Sequence, residues 1–506
     1  MRKTSTHNFQ QFCSMLCRRS LPRQVLILIF ISAFSSCAVT GYYSTEKKFS
    51  PQELKEDVKA LEQTLKRNHP SLDWYSSPEE IEASFERAYH LTGDSLNENA
   101  FKNLIAETVF PIRCGHTSVR LSENYARSMR GKAPQGFPLN LKIADDSTLI
   151  ITNNFNRRDS VLKPGIKIHS INSLSARRVI DTLFPLVAID GYAKNFSYQN
   201  ISNSFASYYN SRFPGLKNYT VTYTNERNEV RTIVIPSLGS SRDTTRRHVI
   251  STPPATTTER RRKINAVRSF TIDSSKIYAL LRINSFTRYL KKSYLKKTFR
   301  HLERQQVTNL IIDVRNNGGG LIKSSLLLTR FVKQEPFYFT DSIFSKTRVI
   351  RSSVKVKKKF FHNIGMVLLN RKQNDSLFRF SFFQKQYEPK TNAYKGNVIV
   401  LTGGYSFSAT TMFLSNIKGQ NNVTLLGEET GGGYYGNNGV FIPEIVLPNT
   451  KLRVRLPLYR IVNNRNFAKG TGVLPDIEVK ATAESIKLNK DPKLEKAIEL
   501  IKQRRK

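Results

Sequence analysis

Acidic side chains are scarce in this chain: 39 Asp and Glu stand against 80 Lys and Arg, a formal net charge of +41 over 506 residues. Such an imbalance raises nucleic acid or an anionic membrane surface as a partner. The basic residues are spread over the whole length, with no clustered zinc-ligand spacing and no aromatic platform for single strands. A dedicated nucleic-acid partner is therefore not expected, and a basic surface near an anionic envelope is. Cysteine is scarcer still, with four in all. Cys13, Cys17 and Cys37 fall in or just after an N-terminal leader, which leaves Cys114 alone and excludes an intrachain disulfide framework. No internal repeat is visible, and the lysine and hydroxyl residue of a phosphate-binding P-loop are missing from the one stretch that has its glycines.

The longest apolar run, "VLILIFISAF", follows Arg18, Arg19 and Arg23 and is too short to cross a bilayer as a helix. Small residues then lead to "FSSC", which resembles the end of a bacterial lipoprotein signal. Residues 1–36 are accordingly expected to be removed and Cys37 to carry lipid, holding the chain to a membrane of the bacterial cell envelope and facing the periplasm. Loss of the leader removes five basic and no acidic side chains, so the excess of positive charge persists.

What remains is rich enough in apolar residues, 39% hydrophobic and 10% aromatic, to fill about three cores. Residues 47–131 read as a helical N-terminal domain. Ser50 and Glu53 make a capping box ahead of Leu54, Val58, Leu61 and Leu65, a second start of the same design lies at Ser77, and "AFKNLIAETVF" leads to "PIRCGHTSVRL". Residues 132–237 turn β-rich, with "STLIITNN", "YTVTYTN" and "VRTIVIP" as strands. The turn–strand–turn–helix order of "LKPGIKIHSINSLSARRVIDTLF" resembles a PDZ-like peptide-binding module. Residues 238–266, rich in Ser, Thr, Pro and Arg, read as a linker or exposed loop. From 267 to 482 strand-like and helical segments alternate, which predicts an α/β layer of mostly parallel strands with its site at their carboxyl ends. Residues 483–506 form a basic C-terminal helix or tail.

Two segments of that layer carry chemistry. In "VLTGGYSFSATTMFLSNIKG" a buried strand meets two glycines, and Ser408 stands where a helix begins, a place where unpaired N–H groups favour developing negative charge. The stretch by itself fits a nucleophile, and it equally fits Ser406 or Ser408 acting as a helix cap. In "NLIIDVRNNGGG" a second buried strand meets three glycines that can expose backbone N–H groups, with Asp313 and Arg315 placed to brace the loop.

Together with "VTLLGEETGGG" and "GTGVLPDIEV", in that order, these segments closely resemble the tail-specific or C-terminal processing peptidases, including the tricorn-like and retinoid-binding-protein-like branches. The resemblance spans roughly residues 50–482. It implies an α/β multidomain fold with a catalytic core of the ClpP/crotonase type, Ser408 as nucleophile, and Ala409 and Gly319 as oxyanion donors. The processing branch activates its serine with a lysine, and Gly433 occupies that place here. The tricorn-like branch uses a histidine, and "CGHTSV" resembles its motif, which implies His116 as the base. The glutamate that orients the histidine there is replaced by Lys469, so an orienting acid comes from elsewhere or is absent, with Glu428 and Glu429 as candidates by their place after a strand.

The expected function is a serine endopeptidase of extended or C-terminally presented polypeptides in the cell envelope, with no metal or organic cofactor. The missing lysine and glutamate leave a second reading open, a catalytically inactive peptide-binding or scaffolding lipoprotein on the same fold.

Overall fold

The computed structural model describes residues 43–132, 135–239, 256–374, 377–380 and 382–504. Cys37 and the expected signal peptide lie outside them. Thr45–Lys506 form one compact unit.

The helix Pro51–Asn68 starts at Ser50, whose hydroxyl accepts from Glu53 N while Glu53 accepts from Ser50 N. Helices Pro78–Leu91 and Glu98–Val109 follow, capped by Ser77 and Asn97. These helices do not close a core of their own. Leu54, Val58, Leu61 and Leu65 are buried together with Ile343, Leu452, Tyr459 and Ile461 from the far end of the chain. Asp57, facing the same way, accepts from the Asn449 and Thr450 N–H groups. Three short helices have too little apolar face to bury themselves, so the expected helical domain 47–131 is one wall of a larger unit.

Residues 139–236 supply an antiparallel sheet whose main strands run in the order Leu139–Ile143, Leu149–Asn154, Lys167–Ile171, Asn218–Thr224 and Val230–Pro236. Helix Ala176–Leu183 buries Val179, Ile180 and Leu183 in this body's core. Two helices the sequence pattern did not reveal, Asn195–Asn203 and Phe205–Arg212, pack Ile201, Phe205 and Tyr209 into the same core.

The expected linker 238–266 ends in a helix, Thr256–Val267, which runs straight into the strand Arg268–Ile272. Its local support is an ion pair between Glu259 and Lys263 one turn apart, and Val267 is buried.

The central sheet has six strands in the order Arg268–Ile272, Ala279–Ile283, Asn309–Asp313, Asn397–Thr402, Val423–Gly427 and Ile477–Glu478. The first pair is antiparallel and the others are parallel. Side chains alternate between two covered faces, which explains why the inner strands read as unbroken apolar runs. Leu310, Ile312, Val398 and Val400 pack on helices Lys292–Arg304, Ile322–Val332 and Ala409–Ile417. Ile311, Ile399, Leu401 and Leu426 pack on Ala497 and Ile501 of the C-terminal helix Pro492–Gln503. The last segment is therefore a cover for the sheet. A further five-stranded antiparallel sheet, in the order Asn370–Lys372, Phe378–Phe380, Ser342–Ser345, Tyr459–Val462 and Gly436–Gly439, lies over the N-terminal helices.

Candidate active site

Strands Asn309–Asp313 and Asn397–Thr402 are parallel and paired with Asp313 opposite Leu401, so both chains leave the sheet at the same edge. Their loops are then tied together. Ser406 Oγ donates to Val314 O at 2.9 Å, and Phe407 N donates to Asn317 O at 3.2 Å. Ser408 follows with φ 55° and ψ −121°, a conformation that costs a non-glycine residue about 1–3 kcal/mol. Several contacts hold it there. Ser406 O accepts from Gly431 N, Gly432 N and Thr411 Oγ1, and Ala409 O accepts from Ser325 Oγ at 2.6 Å. At about 1 kcal/mol net each, these bonds outweigh the strain. Ser408 makes no side-chain capping bond, and Ser406 is occupied as a brace, so neither serine is a helix cap.

His116 brings its Nε2 to 3.1 Å from Ser408 Oγ, across 292 residues of chain. The segment that follows it is fixed at two points. Thr117 Oγ1 lies 3.0 Å from Nε2 of buried His69, and Val119–Arg120 pair with Arg453–Val454. The imidazole is buried with its centre 4.8 Å from that of the Phe407 ring, and Phe407 stacks on Phe196 at 4.4 Å. Gly115 makes this approach possible, since a Cβ there would lie 2.6 Å from Phe407 Cζ. Burial, with the Arg455 cation adding to it, holds the His116 pKa down at about 3. The ring is therefore neutral near pH 7 and able to accept a proton.

The expected orienting acids are elsewhere. Glu428 pairs with Lys493 of the C-terminal helix at 2.5 Å, and Glu429 accepts from Gly472 N at 2.7 Å. Both carboxylates are taken up by those partners. Instead Asp190, which the sequence pattern did not single out, is the carboxylate beside the histidine. It is buried, Oδ1 accepts from Gly115 N at 2.7 Å, and Oδ2 accepts from Gly433 N at 3.4 Å. One donor atom each of Asp190, His116 and Cys114 lie within 4.8 Å of one another, the one such group found among the described residues. Burial pushes the Asp190 pKa up to about 7 and the Cys114 thiol up to about 11, leaving the thiol protonated and inert. His116 Nδ1 is buried without a partner, the position from which a carboxylate would steady it.

The two absences also have a physical basis. A Cβ on Gly433 would lie 2.4 Å from Gly436 O, so this backbone has no room for a lysine. Lys469 is exposed, with its ammonium over the rings of Trp74 and Tyr75.

For the oxyanion, Ala409 N–H is the first of its helix, where the intrahelical ladder offers no acceptor. Gly319, the second expected oxyanion donor, does not serve as one. It packs against Ser408, but its N–H donates to Asn317 Oδ1 at 2.9 Å and is not free for an oxyanion. Its necessity is steric. With φ 95°, a Cβ on Gly319 would lie 2.8 Å from Phe407 O and 2.9 Å from Ser408 Cβ. Gly319→Ala is expected to displace Ser408 and lower kcat at least about 100-fold while the protein stays folded by circular dichroism. Turnover at the parent rate would show that the close approach is not needed.

No curated protein sequence matches the chain. Among solved structures, mature CPAF is similar in fold, with 14% identity and a TM-score of 0.59, over 89% of this chain and 97% of that one. Mature CPAF complexed with lactacystin gives 13% identity and a TM-score of 0.60, over 90% and 98%. Residues 277–479, which carry the glycine loop, Ser408 and most of the sheet that sets them side by side, match the model of peptidase family S41, and that match supports a serine peptidase.

Proposed function

We propose that the protein is an endopeptidase in which Ser408 attacks the peptide carbonyl, His116 takes its proton, and Asp190 steadies the imidazole. The observation that carries this is the 3.1 Å contact between His116 Nε2 and Ser408 Oγ on a strained turn. A neutral buried imidazole accepts the hydroxyl proton as the bond to carbon forms, then returns it to the leaving amine. Ala409 N–H, the first of its helix, is the donor offered to the forming oxyanion. A buried carboxylate near the histidine supports this reading over an inactive peptide-binding relative, because Asp190, from another part of the chain, stands within 4.8 Å of the ring while the expected glutamate position holds Lys469.

The sheet of residues 139–236 is proposed to capture extended polypeptide in the manner of a PDZ-like module. Its outer strand Val230–Pro236 pairs on one side only among the described residues, and it presents Val230 and Val234 to solvent. The site of action is proposed to be the bacterial cell envelope, with lipid on Cys37 and the protein facing the periplasm. The leader sequence is the support, and a mature chain whose mass lacks diacylglycerol would reject it.

Hydrolysis of casein should fall at least about 10⁴-fold in Ser408→Ala and in His116→Ala. Cleavage unchanged by Ser408→Ala would end the proposal. The pH profile follows from the pair. His116 stays neutral down to about pH 3, so its protonation does not limit the rate in the neutral range. Asp190, raised to about 7 by burial, gains its charge only as pH passes that value, and the charge stabilises the imidazolium that forms in the transition state. We expect kcat/KM to rise with pH through about 7, and Asp190→Asn to lower the rate about a thousandfold and remove that limb. A profile unaltered by Asp190→Asn would exclude the positioning role.

A further inference from the structure

The helix Lys359–Leu369 is turned the wrong way for a water-soluble surface. Met366 is its buried side chain, while Phe360, Phe361 and Leu368 are 69%, 72% and 76% exposed, with Ile364 and Val367 also exposed. At 100° per residue these five side chains fall within an arc of about 120°, with Met366 on the opposite side. This is the apolar stripe that a surface helix ordinarily lays against its own core, here pointing outward.

The charge around it is as one-sided. From Lys346 to Asn374 the sequence holds nine Lys and Arg and no Asp or Glu. Lys357 is neutralised by Glu123 and Glu444, but Arg348, Lys355 and Lys358 before the helix and Arg371 after it are exposed. Arg348 is fastened to the helix by a bond to Val367 O, and Asn363 Oδ1 accepts from Ile350 N, so the basic segment and the apolar stripe form one surface. Lys358 and Lys359 also sit at the helix N-terminus, with no acid in the first turn. Cations are unfavourable there for the helix's own dipole, a cost that an external anion would reverse.

We propose that this helix docks on an anionic lipid surface, inserting Phe360, Phe361, Ile364, Val367 and Leu368 among the acyl chains while the flanking cations meet the headgroups. Eleven residues span about 16 Å as a helix, about half the hydrocarbon thickness, so the helix lies in the interface. Charge complementarity selects this occupant over a second copy of the chain, because two copies would face each other with the same basic segment. Insertion of this kind needs neither the lipid on Cys37 nor the peptidase site.

The test is flotation of residues 45–506, the compact unit, with phosphatidylcholine vesicles with and without phosphatidylglycerol. We expect binding to the anionic vesicles that weakens with salt. It should fall at least about tenfold in Phe361→Ser/Leu368→Ser and about fivefold for each of Lys355→Gln and Lys358→Gln. Both sets of variants should hydrolyse a soluble peptide at the parent rate, which verifies folding. Absence of binding, or binding unaltered by Phe361→Ser/Leu368→Ser, would overturn the proposal. So would a concentration-dependent dimer of the parent chain that the same double substitution dissolves, since the face would then belong to a second copy.

Discussion

The parallel pairing of Asn309–Asp313 with Asn397–Thr402 is the constraint on which the site depends. With Asp313 set opposite Leu401, the Asn317–Gly320 loop and the Ser406–Ala409 turn must emerge side by side. Each then holds the other. Val314 O takes the Ser406 hydroxyl, Asn317 O takes the Phe407 N–H, and Gly319 leaves the room into which Ser408 is pressed. A slip of one residue would turn every side chain of the strand to the opposite face and break all of these contacts together. Both faces of the sheet are covered, which fixes the register firmly. The C-terminal helix contributes through more than its apolar face. Its Lys493 donates to Thr402 O at 3.0 Å, and Asp491 meets Arg315, which is also bound to Asp313.

The histidine reaches this edge from the opposite end of the chain. That is why the N-terminal helices share a core with the late strands: a separately folded domain on a linker would not hold an imidazole to 3.1 Å. Burial does two things at once here. It keeps His116 uncharged, and it raises the affinity of Asp190 for a proton. The Gly115 N–H bond to Asp190 Oδ1 couples the acid to the backbone that carries the histidine.

The sequence made the serine turn and the glycine loop readable, because buried parallel strands are continuous apolar runs and their ends are marked by glycines. His116 was readable through its motif. Asp190 was not. It is a lone acid in "LVAIDGYA", and what sets it apart is a neighbour 75 residues earlier that only folding supplies. Glu428 and Glu429 misled for the converse reason, since their place after a strand says nothing of Lys493 or Gly472, which hold them. The five-stranded antiparallel sheet escaped notice because its strands run for three or four residues, too short for a period to register. The exposed stripe of Lys359–Leu369 was concealed differently, as its pattern is that of an ordinary core-facing helix.

The most direct measurement of the central claim is the rate at which a serine-reactive phosphonate labels the folded protein, with the modified residue located by mass spectrometry. Here the strained turn and the neutral imidazole should direct one label per chain to Ser408, at a rate that collapses in His116→Ala. Folded protein that takes no label, or labels Ser408 equally fast without His116, would contradict a serine activated by that histidine.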